Sequence, residues 1–158
     1  MKKVLIVFAA VLTSISLCAE NVNLGFWKDA PKGNGSKNIE GVAFGLPVSA
    51  IKSCEGAQIS LFGNLAKEAQ GVQATFIVNH AKKFDGGLQF GAINLSDNLD
   101  DISIQWGTFN HSGKDGIQLG FVNNCSNNAK FQLGFININK NGFFPVMIFV
   151  NFGKDLFD

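Results

Sequence analysis

The sequence predicts an all-β, single-domain β-solenoid of about seven repeats, each 13–16 residues long, with capped ends. A short unit recurs along most of the chain, and apolar and polar residues alternate inside each copy, which is typical of β-strands. The segments between copies are short and polar, and none resembles a domain linker. With 158 residues, the chain has room for one domain with a substantial core.

The repeat has the general form G-V-Q-φ-G-φ-φ-N, where φ is an apolar residue. Its seven copies are GVAFGLPVS from Gly41, GAQISLFGN from Gly56, GVQATFIVN from Gly71, GLQFGAIN from Gly87, SIQWGTFN from Ser103, GIQLGFVN from Gly116 and KFQLGFIN from Lys130. The third position is Ala43 and then Gln58, Gln73, Gln89, Gln105, Gln118 and Gln132, at spacings of 15, 15, 16, 16, 13 and 14 residues. Each copy is predicted to contribute one strand of about eight residues.

An asparagine closes six of the seven predicted strands and suits a turn, because its side chain can bond nearby backbone and tolerates left-handed geometry. These residues are Asn64, Asn79, Asn94, Asn110, Asn123 and Asn137. Two positions later a small residue follows in most copies (Ala66, Ala81, Ser96, Ser112 and Cys125), and an apolar residue often precedes the next copy (Ala69, Phe84, Leu99 and Ala129). We interpret both positions as inward sites on a second, shorter face of a coil.

Two architectures can use such a unit. In a solenoid each repeat is one coil, and equivalent residues stack about 4.8 Å apart. In an antiparallel up-and-down meander, open or closed into a small β-barrel, each repeat is one strand. A meander puts successive turns at opposite ends, which predicts a period near thirty residues, whereas the observed period is near fifteen. The period favours the solenoid, while the uneven spacing favours hairpins of unequal length.

In a solenoid the six glutamines are predicted to form a row on one outer face, with each side-chain amide bonded to the next. The apolar residues that alternate with them, such as Phe90 and Leu119, are then predicted to point inward. Trp106 occupies the same slot as Phe90, which indicates a core residue rather than a sugar-stacking platform.

Residues 1–19 have the layout of a secretory signal, with Lys2 and Lys3 before an apolar run from Val4 to Leu12. Cleavage is predicted after Ala19; the alternative is a lipoprotein signal that is cut before Cys18. Residues 20–40 are interpreted as an N-terminal half-unit and loop, 41–140 as the tandem β repeats and 141–158 as a C-terminal capping strand. The capping strand, which is very apolar, has a second interpretation as a membrane-associated or assembly-directing strand.

The composition lowers the expectation of a polyanionic partner. All 13 basic residues are lysine, so the guanidinium group that suits phosphates and guanine is missing, and the formal net charge is only +1. After cleavage the chain would have 11 lysines and 12 acidic residues, which gives a net charge of −1. We therefore expect no nucleic-acid partner. No later apolar segment reaches about 18 residues, so we also expect no helical membrane span.

Residues that could carry chemistry are scattered. His80 and His111 lie about two repeats apart, roughly 10 Å in a solenoid, and are interpreted as solvated turn residues. Asp97, Asp100 and Asp101 could offer oxygen ligands to calcium but occur in a single linker, which favours an ordinary loop. No nucleophile, phosphate-binding or metal motif is present in the sequence. We therefore expect no enzymatic activity, no catalytic or metal residues and no cofactor.

The two cysteines that follow the signal test the architecture. Cys54 and Cys125 would be about five coils apart in a solenoid, on the order of 20 Å or more. A disulfide tolerates about 7 Å between Cα atoms. A solenoid therefore predicts two free, partly buried thiols, whereas a closed barrel would allow a bond.

The tandem units, together with LGFW from Leu24, GLPVS from Gly45 and NKNGFFPVMIFVNFGKD from Asn139, resemble an uncharacterised family of bacterial surface-repeat proteins with signal peptides. The resemblance implies an exported protein of a bacterium with an outer membrane, located at the cell surface, outer membrane or periplasm. We expect a non-enzymatic structural or interaction scaffold with an unknown envelope partner. The alternative is a small integral outer-membrane β-barrel with lipid-facing apolar residues and a lumenal glutamine row.

Overall fold

The computed structural model describes residues 22–27, 32–100 and 102–154. The predicted signal with Cys18, and Asp101 of the acidic linker, lie outside these residues. The strands are β1 (Val22–Gly25), β2 (Asn38–Gly45), β3 (Val48–Ser60), β4 (Gly63–Ala74), β5 (Val78–Phe90), β6 (Ile93–Leu99), β7 (Ser103–Ser112), β8 (Ile117–Cys125), β9 (Phe131–Asn139) and β10 (Val146–Phe152). A short 3-10 helix, Asn34–Ser36, precedes β2.

The strands follow one another in chain order through a single sheet, and β5 pairs with both β6 and β7. Neighbours from β1 to β9 run parallel with equivalent repeat positions aligned, so that Gly56 pairs with Gly71 and Gln58 with Gln73, and the pairing of β4 with β5 has an irregularity between Ala69 and Gly71. Among the described pairs, β9 and β10 run antiparallel. This pattern is a β-solenoid of about seven turns, which confirms the predicted fold class. A meander would require opposite directions throughout.

In each coil the chain turns at two edges, so that two extended limbs lie opposite each other. We name its parts on the coil from Gly56: the glutamine limb (Gly56–Ser60), the apolar edge (Leu61–Phe62), the asparagine limb (Gly63–Ala66) and the charged edge (Lys67–Gln70). The same names apply to the equivalent residues of other coils. The two limbs face each other, because Gln58 Nε2 donates to the carbonyl of Leu65 at 3.3 Å and to that of Ser49 at 3.0 Å.

The prediction of one eight-residue strand per repeat is wrong in detail. β3 and β5 each have 13 residues and run from an asparagine limb through the charged edge into the next glutamine limb. β7 instead runs from a glutamine limb into the following asparagine limb. A strand can therefore continue through either edge, and the repeat unit itself contains a corner.

The asparagine side of the core agrees with the sequence interpretation. The small residues two positions after the asparagines are buried, as are the apolar residues before the next copy. The first set is Ala66, Ala81, Ser96, Ser112 and Cys125, joined by Asn139; the second is Ala69, Phe84, Leu99 and Ala129. Phe84 is the largest apolar side chain that is fully buried. The core is therefore narrow, because most positions in it admit only short side chains.

The predicted orientation of the glutamine limb is wrong. The six glutamines are at most 1% exposed, whereas Phe90 is 48% and Trp106 is 55% exposed. Leu119, predicted to point inward with Phe90, is only half-buried. Strand alternation separates the two sets of side chains but does not say which set faces inward. Stacking decides it here, since a column of amides can satisfy its own hydrogen bonds inside the solenoid.

Among the described residues, positive φ angles occur at several glycines and at Trp27, Asp115 and Phe149, but not at the repeat asparagines. Gly41, Gly56, Gly71, Gly87 and Gly116 have positive φ, while the asparagines lie within strands. At Gly71, with φ of 100°, an added Cβ would collide with the carbonyl oxygen of Gly56 in the coil below. Glycine therefore allows both the bend into the glutamine limb and the close approach of successive coils.

The two ends differ from the repeats. At the N-terminal end, β1 pairs in parallel with residues Val42–Gly45 of β2, and buried Asn23 donates to Asn34 Oδ1 at 2.7 Å. Asn34 is thus buried, although it lies in the segment interpreted from the sequence as an N-terminal half-unit and loop. At the C-terminal end, β10 runs back along β9 with an irregularity between Met147 and Phe149. It covers the edge of the last coil with a strand of opposite direction.

Candidate functional site

The predicted glutamine positions form one continuous buried ladder. Each side chain donates from Nε2 to Oε1 of the glutamine in the preceding coil, at 2.7–2.8 Å, from Gln132 down to Gln58. The second hydrogen on Nε2 reaches across the core in several coils, for example from Gln105 to the carbonyl of His111 at 3.0 Å and from Gln132 to that of Ile138 at 2.9 Å. The ladder therefore joins neighbouring coils and ties the two limbs together.

The predicted asparagine positions form a second ladder beside the apolar edge. Each Nδ2 donates to Oδ1 of the asparagine in the following coil at 2.8–2.9 Å, from Asn64 through Asn79, Asn94, Asn110 and Asn123 to Asn137. Several also donate to backbone, such as Asn79 to the carbonyl of Phe90 at 2.8 Å. These bonds hold the corner between the limbs.

The two ladders have opposite polarity. Glutamines donate toward the N-terminal end of the stack, and asparagines donate toward the C-terminal end. The last acceptor of each ladder has no hydrogen-bond partner: Gln132 Oε1 at one end and Asn64 Oδ1 at the other. Because side-chain dipoles in neighbouring columns point in opposite directions, the core gains no large net dipole from its amides.

The outer surface is apolar on three contiguous sides. On the glutamine limbs it includes Phe90, Trp106 and Leu133; on the apolar edge Phe62, Phe76, Phe121 and Phe135; on the asparagine limbs Val78, Ile93, Phe109, Val122 and Ile136. We call these three sides the apolar exterior. Its aromatic rings contact one another along the stack: Phe90 and Trp106 have centroids 5.7 Å apart in a T-shaped pair, and Phe121 and Phe135 stack at 5.2 Å.

The apolar exterior also carries concave places. One depression of about 300 Å³ lies beside the first coils and is lined by Leu24, Phe44, Ile59, Leu61 and Phe76 among others. A second, of about 550 Å³, lies along the apolar edge between Phe76 and Phe121. Both are shallow and offer hydrocarbon contact without a charged group among their lining residues.

The charged residues of the repeats occupy the fourth side. Within the described part of 41–140, every lysine, aspartate and glutamate except Lys130 lies between an asparagine limb and the next glutamine limb, on the charged edge; Lys130 is the half-buried first residue of the last glutamine limb. The residues of the charged edge are Lys52, Glu55, Lys67, Glu68, Lys82, Lys83, Asp85, Asp97, Asp100, Lys114, Asp115 and Lys140. Lys83 pairs with Asp85, which raises the pKa of the Lys83 ammonium mainly through their hydrogen bond. Positive and negative side chains occur in nearly equal number along the charged edge.

The histidines lie in strands rather than in turns. His80 and His111 occupy one column of the asparagine limbs, with Leu95 between them. Asn124, in the next coil, donates from Nδ2 to His111 Nδ1 at 3.1 Å. Within residues 22–27, 32–100 and 102–154, no three His, Cys, Asp or Glu side chains are placed to hold a metal ion.

Cys54 and Cys125, the cysteines of the described residues, are free and buried. Burial, with a smaller effect from the carboxylate of Glu55, raises the pKa of the Cys54 thiol to about 11. Burial likewise raises the pKa of Cys125, against the opposing effect of a hydrogen bond with Ser112. A thiol held in its neutral form is a poor nucleophile and a poor metal ligand, so both residues act as small core side chains.

The structure thus brings together every glutamine and asparagine position that the sequence singled out, in two columns. In the solenoid interpretation the outward apolar residues, such as Phe90 and Trp106, were assigned to the core; only the alternative interpretation placed apolar residues outside and the glutamines inside. The available signal was the confinement of charge to one part of each repeat, which marks a single wet side of the coil.

No helix within the described segments is long and apolar enough to cross a membrane. Comparison with known protein families, with curated proteins and with solved structures finds no match for this chain.

Proposed function

We propose that this protein is an exported, non-enzymatic repeat protein of the bacterial envelope, in which the solenoid is a rigid scaffold. The observation that carries the proposal is the pair of buried amide ladders. Every interior coil is bonded to both neighbours by side chains as well as by backbone, which stiffens the stack along its axis. Such a core suits a protein that holds a surface in a constant shape.

The distribution of reactive groups supports a non-catalytic role. Catalysis by nucleophile or acid and base needs groups within hydrogen-bond reach of one another. Here the two thiols are sealed in the core, His80 and His111 are separated by Leu95, and the carboxylates lie on the solvated edge. What varies along the exterior is its shape and aromatic content, which suits an interaction surface.

Export is supported by the first nineteen residues and by the resemblance to surface-repeat proteins. The test expresses the complete chain in a bacterium with an outer membrane and separates cytoplasm, periplasm and envelope. We expect the protein in the envelope or periplasm, with Glu20 as its first residue by mass spectrometry. A Leu5→Arg variant, which interrupts the apolar run of the signal, is the matched control and should remain in the cytoplasm at full length.

Two results would contradict this role. Wild-type protein that stays in the cytoplasm with Met1 or Lys2 at its N-terminus would overturn export. Turnover of a substrate by the purified protein would overturn the scaffold role. A product that begins at Cys18 and carries acyl chains would keep the envelope location but replace simple cleavage by lipid attachment.

A further inference from the structure

We propose that the apolar exterior inserts into one leaflet of a lipid bilayer, with the charged edge held at the headgroups. This inference rests on the proposed envelope role and names its partner. The polarity around each coil differs from that of a soluble solenoid: amide columns line much of the inside, beside a narrow core of mostly small apolar residues, and hydrocarbon covers three outer sides.

The extent of the apolar exterior argues for a fluid partner. Soluble monomers rarely expose contiguous apolar patches beyond a few hundred Å². Here the apolar residues cover both limbs and the edge between them, over most of the stack; Phe76 is 75% and Phe121 57% exposed. A second copy, or any rigid protein, could cover one limb but would leave the opposite limb and the edge in water. Acyl chains can surround all three sides at once.

The backbone and side-chain hydrogen bonds are compatible with hydrocarbon. A lipid-exposed surface must leave no polar group unsatisfied, since each costs several kcal/mol in order of magnitude. Along the limbs the backbone groups pair between stacked coils, and the amide side chains are turned inward and bonded in ladders. The outward polar exceptions are few, namely His80, Thr108, His111 and Asn124.

The dimensions of the coil fit a single leaflet. A limb of four or five residues extends roughly 15 Å at the usual rise of a strand. Half the hydrocarbon thickness of a bilayer is also about 15 Å. With the solenoid axis parallel to the membrane plane, the apolar edge would reach the middle of the bilayer, and the charged edge would lie at the headgroups.

The near-equal numbers of positive and negative groups on the charged edge predict how membrane binding depends on lipid charge and on salt. Lysines and carboxylates alternate along this edge in nearly equal number, for example Lys67 beside Glu68 and Lys83 beside Asp85. It therefore has no strong attraction for anionic headgroups. Binding should be driven by burial of hydrocarbon and should be similar on zwitterionic and anionic membranes.

The experiment uses the processed protein in a Trp27→Phe background, which leaves Trp106 as the one tryptophan. Vesicles of phosphatidylcholine, and of phosphatidylcholine mixed with phosphatidylglycerol, are added at low and high salt. We expect the protein to float with both vesicle types at both salt concentrations. Trp106 is 55% exposed on the apolar exterior, so its emission should shift to shorter wavelength on binding.

Matched variants place one charge on either side of the same coil. Phe121→Lys puts it on the apolar edge, and Ser126→Lys puts it at an exposed position of the charged edge. We expect Phe121→Lys to weaken partitioning by about tenfold, and Ser126→Lys to leave it unchanged. Leu133→Lys, at another exposed apolar position, is a second variant in case Phe121→Lys fails to fold by circular dichroism.

Three results would overturn the inference. The protein could remain a monomer in solution without a shift in Trp106 emission. It could form a stable oligomer that hides Trp106 and does not float, which would make a second copy the partner. It could bind only anionic vesicles and detach at high salt, which would indicate the charged edge. If any of these results is found and export is normal, membrane insertion is overturned but the proposed envelope role is not. If export fails and the protein still floats with vesicles, only the envelope role is overturned.

Discussion

The buried amide side chains of this protein form hydrogen bonds with equivalent side chains in the neighbouring coils. The amide of Gln105 donates to Gln89 in one coil and accepts from Gln118 in the next, and its second hydrogen reaches the opposite limb. A carboxylate of the same shape could only accept, and an apolar residue could do neither. Cys54 occupies the other kind of interior position, a small site sealed from water.

Cys54 should make stability depend on pH in the alkaline range. Its pKa is about 11 in the folded protein against an ordinary value of 9.0. Below pH 9 the thiol is neutral in both states; between pH 9 and 11 it ionises mainly in the unfolded state, so stability falls as pH rises. Replacing Cys54 by Ala should remove a loss on the order of 2 kcal/mol across this range.

The measurement is urea unfolding of wild type and Cys54→Ala at pH 8 and pH 11. Comparing the two proteins cancels the titration of the lysines, which both share. An equal loss of stability in both proteins would show that Cys54 is ionised as easily in the folded state as in the unfolded state.

Each coil is positioned by glycines at its points of closest approach to the next. Four glycines lie against the asparagine ladder, namely Gly91, Gly107, Gly120 and Gly134. At Gly107 an added Cβ would meet the carbonyl oxygen of Gly91 and lie 2.6 Å from Asn94 Nδ2. From Gly91 to Gly134 the second glycine of the repeat thus permits the close approach of the coils, and the asparagine beside it depends on that space, whereas Ser60 and Thr75 hold the same position in two earlier coils.

Gly107→Ala should therefore destabilise the protein by roughly 1–3 kcal/mol, as overpacking of a tight interior does. Gly63→Ala is the matched control, because its Cβ would meet only ordinary contacts, the nearest being Val78 O at 3.7 Å. The control should change stability by less than about 1 kcal/mol. Chemical denaturation of both variants is the measurement; similar losses in the two would mean that coil spacing is not set at Gly107.

The molecule as a whole has two amide columns beside a narrow core of mostly small apolar residues inside, and its large apolar residues are mostly outside. Its stability should therefore depend more on the amide columns than on the large apolar residues, which in most proteins form the core. The apolar exterior would still need to be covered by another phase, and the proposed bilayer supplies one.

This arrangement predicts an unusual order of mutational effects. Gln89→Ala would leave Gln105 Nε2 without its acceptor and Gln73 Oε1 without its donor, at a cost of roughly 2–5 kcal/mol. Phe90→Ala, on the exposed side of the same strand, should cost less than about 1 kcal/mol in detergent-free solution. Both are measured by urea unfolding. A larger loss for Phe90→Ala would place the phenylalanine, and not the glutamine, in the core.

The sequence by itself determined the period and the membership of each column, and it favoured stacked coils over an antiparallel meander. A coil that repeats every 13–16 residues places equivalent residues one strand spacing apart, so Gln58 to Gln132 had to align once the solenoid formed. The side of the strand that faces inward was decided only by the tertiary structure. Alternation along a strand separates two faces but does not say which of them is buried. The usual assumption that the apolar face is buried fails on the glutamine limbs. An amide becomes acceptable in a core only when a neighbour on the next coil completes its hydrogen bonds, and that neighbour exists only after the coils have stacked.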